Sequence, residues 1–249
     1  MERMIEKNST LPKVSCMCIT YGRTKVLDEA VYSFLHQDYP GEKELVILND
    51  YDELELVGDF PNVTIYNEKI RYDSLGRKTN ECISRCSGDI VVIWDDDDIS
   101  LPHRLSVAVA NIGIQPLFKP NKIFFYSPHT GMELQLRSPN GCGAFTKAAW
   151  QEVNGYPEKN SGLDLVFERR LLHKGMYGIS EVENEDATYI YRWFAVEGYH
   201  TSAYGTGNGF LEAQQYVKSQ KIGGTYEIVP QWREDYVKLT QEALHKSLL

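Results

Sequence analysis

The chain has 249 residues, 42% of them hydrophobic and 24% charged, which is enough to bury a full core within one α/β domain. A net charge of −9 and a pI of about 5.2 provide no global positive field, so a nucleic-acid partner is disfavoured. No apolar run approaches the roughly 18 residues of a bilayer-crossing helix, residues 1–11 lack the apolar core of a signal peptide, and a soluble, cytoplasmic protein is expected, with peripheral attachment to a membrane left open.

In chain order, Val14–Thr20 reads as a first buried strand and Tyr21-Gly22-Arg23 as its exit turn. Apolar residues at helical spacing predict a helix over Thr24–Gln37, with Thr24 as cap and Asp28 and Glu29 in its early turns. Leu45–Leu48 and Val63–Tyr66 are the second and third strands, separated by a short acidic helix or loop at Asp52–Gly58. Leu75–Ser87 reads as a helix closed by Gly88, after which Ile90–Trp94 is a strand of branched apolar residues. A helix is expected from Ser100, with Pro102 in its first turn, to about Ile112, and a loop over Pro116–Pro120. A hairpin follows at Ile123–Tyr126 and Met132–Leu136, then a short strand near Ala144-Phe145 and helices over Lys147–Val153 and Leu163–His173. Thr188–Trp193 is a late strand, Gly198–Phe210 a glycine- and aromatic-rich loop, and Trp232–Leu249 a closing amphipathic helix. Strands alternating with helices predict an open, mainly parallel sheet with helices on both faces, plus a smaller antiparallel region after residue 112. The five cysteines, Cys16, Cys18, Cys82, Cys86 and Cys142, lack the spacing of a zinc site or disulfide framework and read as reduced core residues.

Asp95, Asp96, Asp97 and Asp98 stand together at the end of the fourth predicted strand. Four adjacent carboxylates repel one another, so concentrating them at a strand terminus signals a cation brought to that place. Open parallel sheets bind ligands outside the carboxyl ends of their strands, which would bring Thr20-Tyr21, Asn49-Asp50 and Asp95–Asp98 to one crevice.

Val14–Asp50, with its Thr-Tyr turn, its helix ending in Gln37-Asp38-Tyr39-Pro40 and its acid-terminated second strand, resembles the opening of glycosyltransferase family 2. Gly76–Leu105, with Asn80, Ser87-Gly88-Asp89 and Trp94–Ile99, is similar to the continuation, and Asn140–Gly143, Gly155-Tyr156 and Leu163-Asp164 resemble the acceptor side. The resemblance implies a GT-A fold in a single domain over 1–249. Its nucleotide-sugar-binding half would be 13–112, its acceptor-side half 113–210 and its helical tail 211–249. It implies a metal-dependent, inverting transferase that uses a nucleotide-diphospho-sugar, a UDP-sugar in the first instance, with Mn²⁺ or Mg²⁺. Asp95 and Asp97 match the two acids of the family's DxD motif as metal ligands, and Asp96 and Asp98 are neighbours that would contact the donor ribose or a metal-bound water. Thr20, Tyr21, Arg23 and Asp50 would line the donor, Asp50 accepting from the base, and one of Arg71, Arg77 and Lys78 would meet the diphosphate. Asp164 is the implied general base, with Leu163 standing where a first acid is common. His200 is either a further metal ligand or structural, and the Gly198–Gly209 loop either a donor-ordered lid or a plain surface loop. The acceptor stays open among saccharide, glycolipid, protein and, less in keeping with the charge, a modified nucleobase in DNA. Two other readings compete: a non-catalytic nucleotide-sugar-binding module, and a sugar-1-phosphate nucleotidyltransferase, although Thr20–Arg23 is not the glycine-rich basic loop of the latter.

Overall fold

A computed structural model describes residues 11–113, 115–176, 178–193 and 215–247. His200 and the glycine-rich loop around it lie outside the described residues. The central sheet has six strands in the order β4-β2-β1-β5-β10-β7. Strands β1 (Val14–Thr20), β2 (Lys43–Asn49), β4 (Val63–Asn67) and β5 (Ile90–Ile93) run parallel. Strand β10 (Ala144–Thr146) enters antiparallel beside β5 and carries β7 (Leu117–Phe118) on its outer edge.

The sheet strands are apolar on both sides because both faces are covered. Cys16, Cys18, Leu45, Ile47 and Val92 face one core, with Leu27, Val31 and Phe34 of α1 (Thr24–Leu35) and Leu105 and Ala108 of α3 (Arg104–Asn111). Met17, Val46, Leu48, Val91 and Ile93 face the other, with Cys82 and Ile83 of α2 (Leu75–Arg85), Ala149 of α4 (Lys147–Glu152) and Phe167 and Leu171 of α5 (Leu163–His173). All five cysteines are buried and unpaired by disulfide, as expected of core residues. Helix starts follow local chemistry: the Ser74 hydroxyl accepts from the Arg77 amide at 3.2 Å to cap α2, and Thr146 accepts from the Ala149 amide at 3.2 Å to cap α4.

Five expectations are corrected. Residues 52–58 hold neither helix nor plain loop: Leu54–Val57 is a strand, β3, paired in parallel with β12 (Gly224–Glu227). That partner lies about 170 residues downstream, so local periodicity could not reveal the pairing. Arg23, not Thr24, occupies the cap position of α1 and makes no side-chain capping bond. Ile99–Ser100 forms β6, and α3 starts only at Arg104, since Ser100 pairs with Tyr189 instead of capping a helix. Leu117–Phe118 within the expected loop adds to the sheet edge. The second sheet, β6-β11-β8-β9, is mixed, not antiparallel. Strands β8 (Lys122–Ser127) and β9 (Gly131–Leu136) form the expected hairpin, but β11 (Tyr189–Arg192) runs parallel to β8. The C-terminal helix α6 (Tyr236–Ser247) buries Tyr236 and Ala243 against Phe124 and Ile190 of this sheet.

Candidate active site

The register of the parallel strands sets the level of the site. Thr20 aligns with Asn49, while Met17 aligns with Ile93 at the last rung of β5. The chain emerging from β5 therefore carries Asp95–Asp98 up to the height at which β1 and β2 release Tyr21 and Asp50. Gly22, at φ 69°, turns the chain there; a Cβ would stand 2.3 Å from Val217, so the turn needs glycine for both conformation and space.

One lobe of the crevice is aromatic and cationic. The Tyr21 and Tyr51 rings meet at 5.0 Å, and the Arg71 guanidinium lies 4.0 Å over Tyr21. Beneath them the Lys78 ammonium donates to the Thr20 carbonyl at 2.6 Å and pairs with Asp50 Oδ1, while Asp50 Oδ2 accepts from the Tyr72 amide at 3.1 Å. Burial pushes the Lys78 pKa down, with Asp50 pulling against it. Of the three cations considered for the diphosphate, Arg77 is the one turned away: its side chain is 57% exposed and pairs with Asp73 at 3.1 Å on the outer face of α2.

The other lobe is the acidic loop, in which each carboxylate has its own surroundings. Asp96 is buried and lies 2.5 Å from Arg23 Nη2, while Arg23 Nη1 pairs with Asp97. Burial pushes Asp96 up to about 6 against the pull of Arg23. Asp98 accepts from the Arg192 amide at 2.7 Å and from the Tyr189 hydroxyl, which also donates to Asp95 at 2.8 Å. Asp95 is half-buried, and its pKa is raised by burial and then by the charge of Asp97, whose side chain keeps 12% exposure. Arg104 stiffens the base of the loop by donating to the Ile93 and Gly141 carbonyls at 2.8 and 2.6 Å, with its guanidinium 4.7 Å over Tyr189.

Gly141 presses against this loop so closely that a Cβ would stand 1.9 Å from Asp95 Oδ2 and 2.1 Å from the Tyr189 hydroxyl. On the acceptor side, Asn80 pins the Gly155-Tyr156 turn through the Tyr156 carbonyl, the Tyr156 amide and the Trp150 indole, at 2.8, 2.8 and 3.0 Å. Tyr156 stacks on Phe167 at 4.2 Å, and its buried hydroxyl, pushed upward by burial, feels the charges of Glu168, Asp164 and Asp95. Asp164 is half-buried in the first turn of α5, behind Gly162 at φ 61°, and makes no hydrogen bond or ion pair among the described residues.

Thr20, Tyr21, Arg23, Asp50, Lys78, Asp95, Asp96 and Asp97 thus gather at the carboxyl ends of β1, β2 and β5, Asp164 stands in the first turn of α5, and Arg77 is turned outward. Sequence reasoning missed Tyr189, Arg104 and Arg192. The strand alternation that marks Tyr189 as core carries no sign of its hydroxyl's partners, and Arg104 was hidden inside an expected helix face. The Asn140–Gly143 motif carries no sign of the close approach that demands Gly141.

The description "Glycosyl transferase family 2" matches residues 15–129. EpsE of Bacillus subtilis (strain 168), a glycosyltransferase by name, is 30% identical over 108 residues, which are 40% of this chain and 38% of that protein's length. Among solved structures, S. aureus TarS 1-349 in complex with UDP-GlcNAc superposes with a TM-score of 0.61 at 20% identity, over 95% of this chain and 72% of that one. The mannosyltransferase PcManGT from Pyrobaculum calidifontis, in complex with GDP-Man and Mn²⁺, gives 0.57 at 14% identity, over 95% and 69%. At these identities the likeness to the solved structures is one of fold. Residues 15–129 thus match glycosyl transferase family 2, and the described chain shares the mixed α/β, mainly parallel fold of these glycosyltransferase structures.

Proposed function

We propose that this protein is a metal-dependent glycosyltransferase that moves a sugar from a UDP-sugar to an acceptor hydroxyl by direct displacement, with inversion at the anomeric carbon. The observation that carries the reading is the level meeting of three strand ends, with Tyr21, Asp50 and Arg71 on one side and Asp95–Asp97 on the other; a half-buried Asp164 in the first turn of α5 supports it. That TarS was solved with UDP-GlcNAc, and PcManGT with GDP-Man and Mn²⁺, supports a nucleotide-diphospho-sugar and a divalent cation.

The residues fit a hard cation. Asp95 and Asp97 are two close anions, the Asp95 pKa being raised by burial and then by the charge of Asp97; Asp95 accepts from Tyr189 and Asp97 pairs with Arg23, and each carboxylate keeps acceptor capacity for a cation. Among the described residues no three His, Cys, Asp or Glu side chains form a metal cluster. Two carboxylates completed by donor phosphates suit Mn²⁺ or Mg²⁺ without a protein cage. Asp95 and Asp97 would hold the ion, which when bound would neutralise the departing diphosphate. His200 remains the proposed additional ligand.

The nucleoside would enter the aromatic lobe. Asp50 uses one lone pair of each oxygen on Lys78 and Tyr72 and retains acceptor capacity for a base N–H, while Lys78 holds the carboxylate oriented. Tyr21 supplies a stacking face backed by Arg71. Asp164, with no competing partner among the described residues, would take the proton from the acceptor hydroxyl as it attacks. Saccharide, glycolipid and protein acceptors are all compatible with this arrangement.

The test is a panel of nucleotide sugars with Mn²⁺ or Mg²⁺, scored by thermal shift and by donor turnover, on wild type and Asp164→Asn. The reading expects a metal-dependent shift with a UDP-sugar, and a variant that binds donor like wild type but turns over about 10²- to 10⁴-fold more slowly. Full turnover in Asp164→Asn would remove the base assignment. Donor binding without turnover by wild type over the acceptor panel would favour a binding module, and nucleotide-sugar synthesis from a triphosphate and a sugar phosphate would favour a nucleotidyltransferase.

A further inference from the structure

A buried charge network joins the C-terminal segment to the acidic loop. Glu29, on α1, is fully buried. Its Oε2 accepts from Arg192 Nη1 at 2.7 Å and from Arg233 Nε and Nη2 at 3.0 and 2.7 Å, and its Oε1 accepts from the Arg233 amide at 3.1 Å and the Tyr236 hydroxyl at 2.9 Å. Arg192, only 3% exposed, also donates from Nη1 to the Tyr236 hydroxyl at 2.9 Å. Its Nε donates to the Asp97 carbonyl at 2.7 Å, and its own amide donates to Asp98 Oδ1 at 2.7 Å. One residue thus holds both the main chain and a side chain of the acidic loop, and is itself oriented by Glu29 and Tyr236. A buried ion pair is a poor source of stability compared with apolar packing, so geometry is the more economical account of this one.

We propose that Glu29 and Arg192 are positioning residues for the Asp95–Asp98 loop, and that through them the segment carrying Arg233 and Tyr236 sets the loop's affinity for a divalent cation with a nucleotide diphosphate. This rests on the donor-site reading above. Lysine cannot replace Arg192, because one ammonium cannot hold the angle between the Glu29 and Asp97 bonds that the planar guanidinium fixes. The charge would survive in Arg192→Lys while the orientation of the loop is lost.

The experiment compares wild type with Arg192→Lys, Arg233→Ala and, as control, Asp28→Ala. Asp28 anchors the same C-terminal segment to α1, through the Tyr226 hydroxyl at 2.6 Å and the Val229 amide at 3.0 Å, and makes no hydrogen bond or ion pair with Glu29 or Arg192 among the described residues. Readouts are UDP binding across an Mn²⁺ titration, amide hydrogen exchange of residues 94–100, and melting temperature. Arg192→Lys should weaken Mn²⁺-dependent UDP binding about tenfold or more and speed exchange in 94–100, Arg233→Ala should do so by roughly threefold, and Asp28→Ala should lower the melting temperature with affinity unchanged. Folded Arg192→Lys with wild-type affinity and exchange would overturn the proposal, as would an Asp28→Ala that weakens binding equally. If Arg192→Lys fails to fold, Arg233→Ala decides on the same criteria. If wild type binds no UDP with either metal, the donor-site reading falls, and unchanged exchange in 94–100 would then sink the positioning role as well.

Discussion

At the scale of single residues, the acidic loop shows how neighbouring carboxylates acquire different tasks from their surroundings. Asp96 and Asp97 share Arg23, Asp98 is held by the Tyr189 hydroxyl and the Arg192 amide, and the half-buried Asp95 accepts from the same Tyr189 hydroxyl. The contact that keeps Asp95 in place is the missing side chain of Gly141. Gly141→Ala would insert a methyl 1.9 Å from Asp95 Oδ2, so either the carboxylate or the Asn140–Cys142 turn must move. We expect this variant to remain folded, to lose about tenfold or more in Mn²⁺-dependent donor turnover, and to need more Mn²⁺ for half-maximal rate, as read from a metal titration. Across the crevice, Lys78→Met leaves the buried Asp50 without its counter-ion. The cost should be about 3–5 kcal/mol in urea denaturation, accompanied by loss of UDP binding.

At the scale of elements, α1 carries polar residues on the side that faces the C-terminal segment. Asp28, Glu29 and Ser33 are all buried, because Tyr226, Val229, Trp232, Arg233 and Tyr236 lie over them. Asp28→Ala removes two hydrogen bonds and should cost about 1–3 kcal/mol by chemical denaturation. At the opposite end of the sheet, Glu44 on β2 ties β1 to the start of β5: its Oε1 accepts from the Ser15 hydroxyl, the Ser87 amide and the Ser87 hydroxyl at 2.6, 2.6 and 2.9 Å. Burial alone would raise its pKa, but these donors and Lys13 hold it below the ordinary 4.5. A depressed carboxylate stabilises the fold fully above its unfolded value and ceases to do so as pH falls through its folded value. Glu44→Gln should therefore be less stable than wild type at pH 7, and the difference should shrink as the pH is lowered below 4.5, measured by urea midpoints.

At the scale of the whole molecule, the parallel strands release their polar ends at one level, and a ligand that bridges the two lobes binds the folded state only. UDP with Mn²⁺ at a hundredfold excess over its dissociation constant should add about 2.7 kcal/mol of stability, a gain that EDTA should abolish in a melting experiment. The sheet and this level were legible in the chain, because Val14–Thr20, Leu45–Leu48 and Ile90–Ile93 are apolar on both faces and end in Thr20-Tyr21, Asn49-Asp50 and Asp95–Asp98. Local period and residue type suffice for elements buried on both sides, and the order of strands and helices then dictates a parallel sheet with a crevice at its carboxyl edge. Pairings across long stretches of chain were not legible: β3 with β12, β11 with β8, and Glu29 with Arg192 and Arg233 join segments that no window of sequence holds together. Asp28 and Glu29 looked like ordinary early-turn acids of a helix and became buried anchors once the C-terminal segment crossed them. The sequence by itself therefore determined the layers, the acidic loop and the common level of the strand ends, since these follow from short-range patterning. The tertiary structure alone decided which carboxylates are already paired, which glycine must stay bare and which arginine holds the loop, because each depends on atoms brought within a few ångströms by folding.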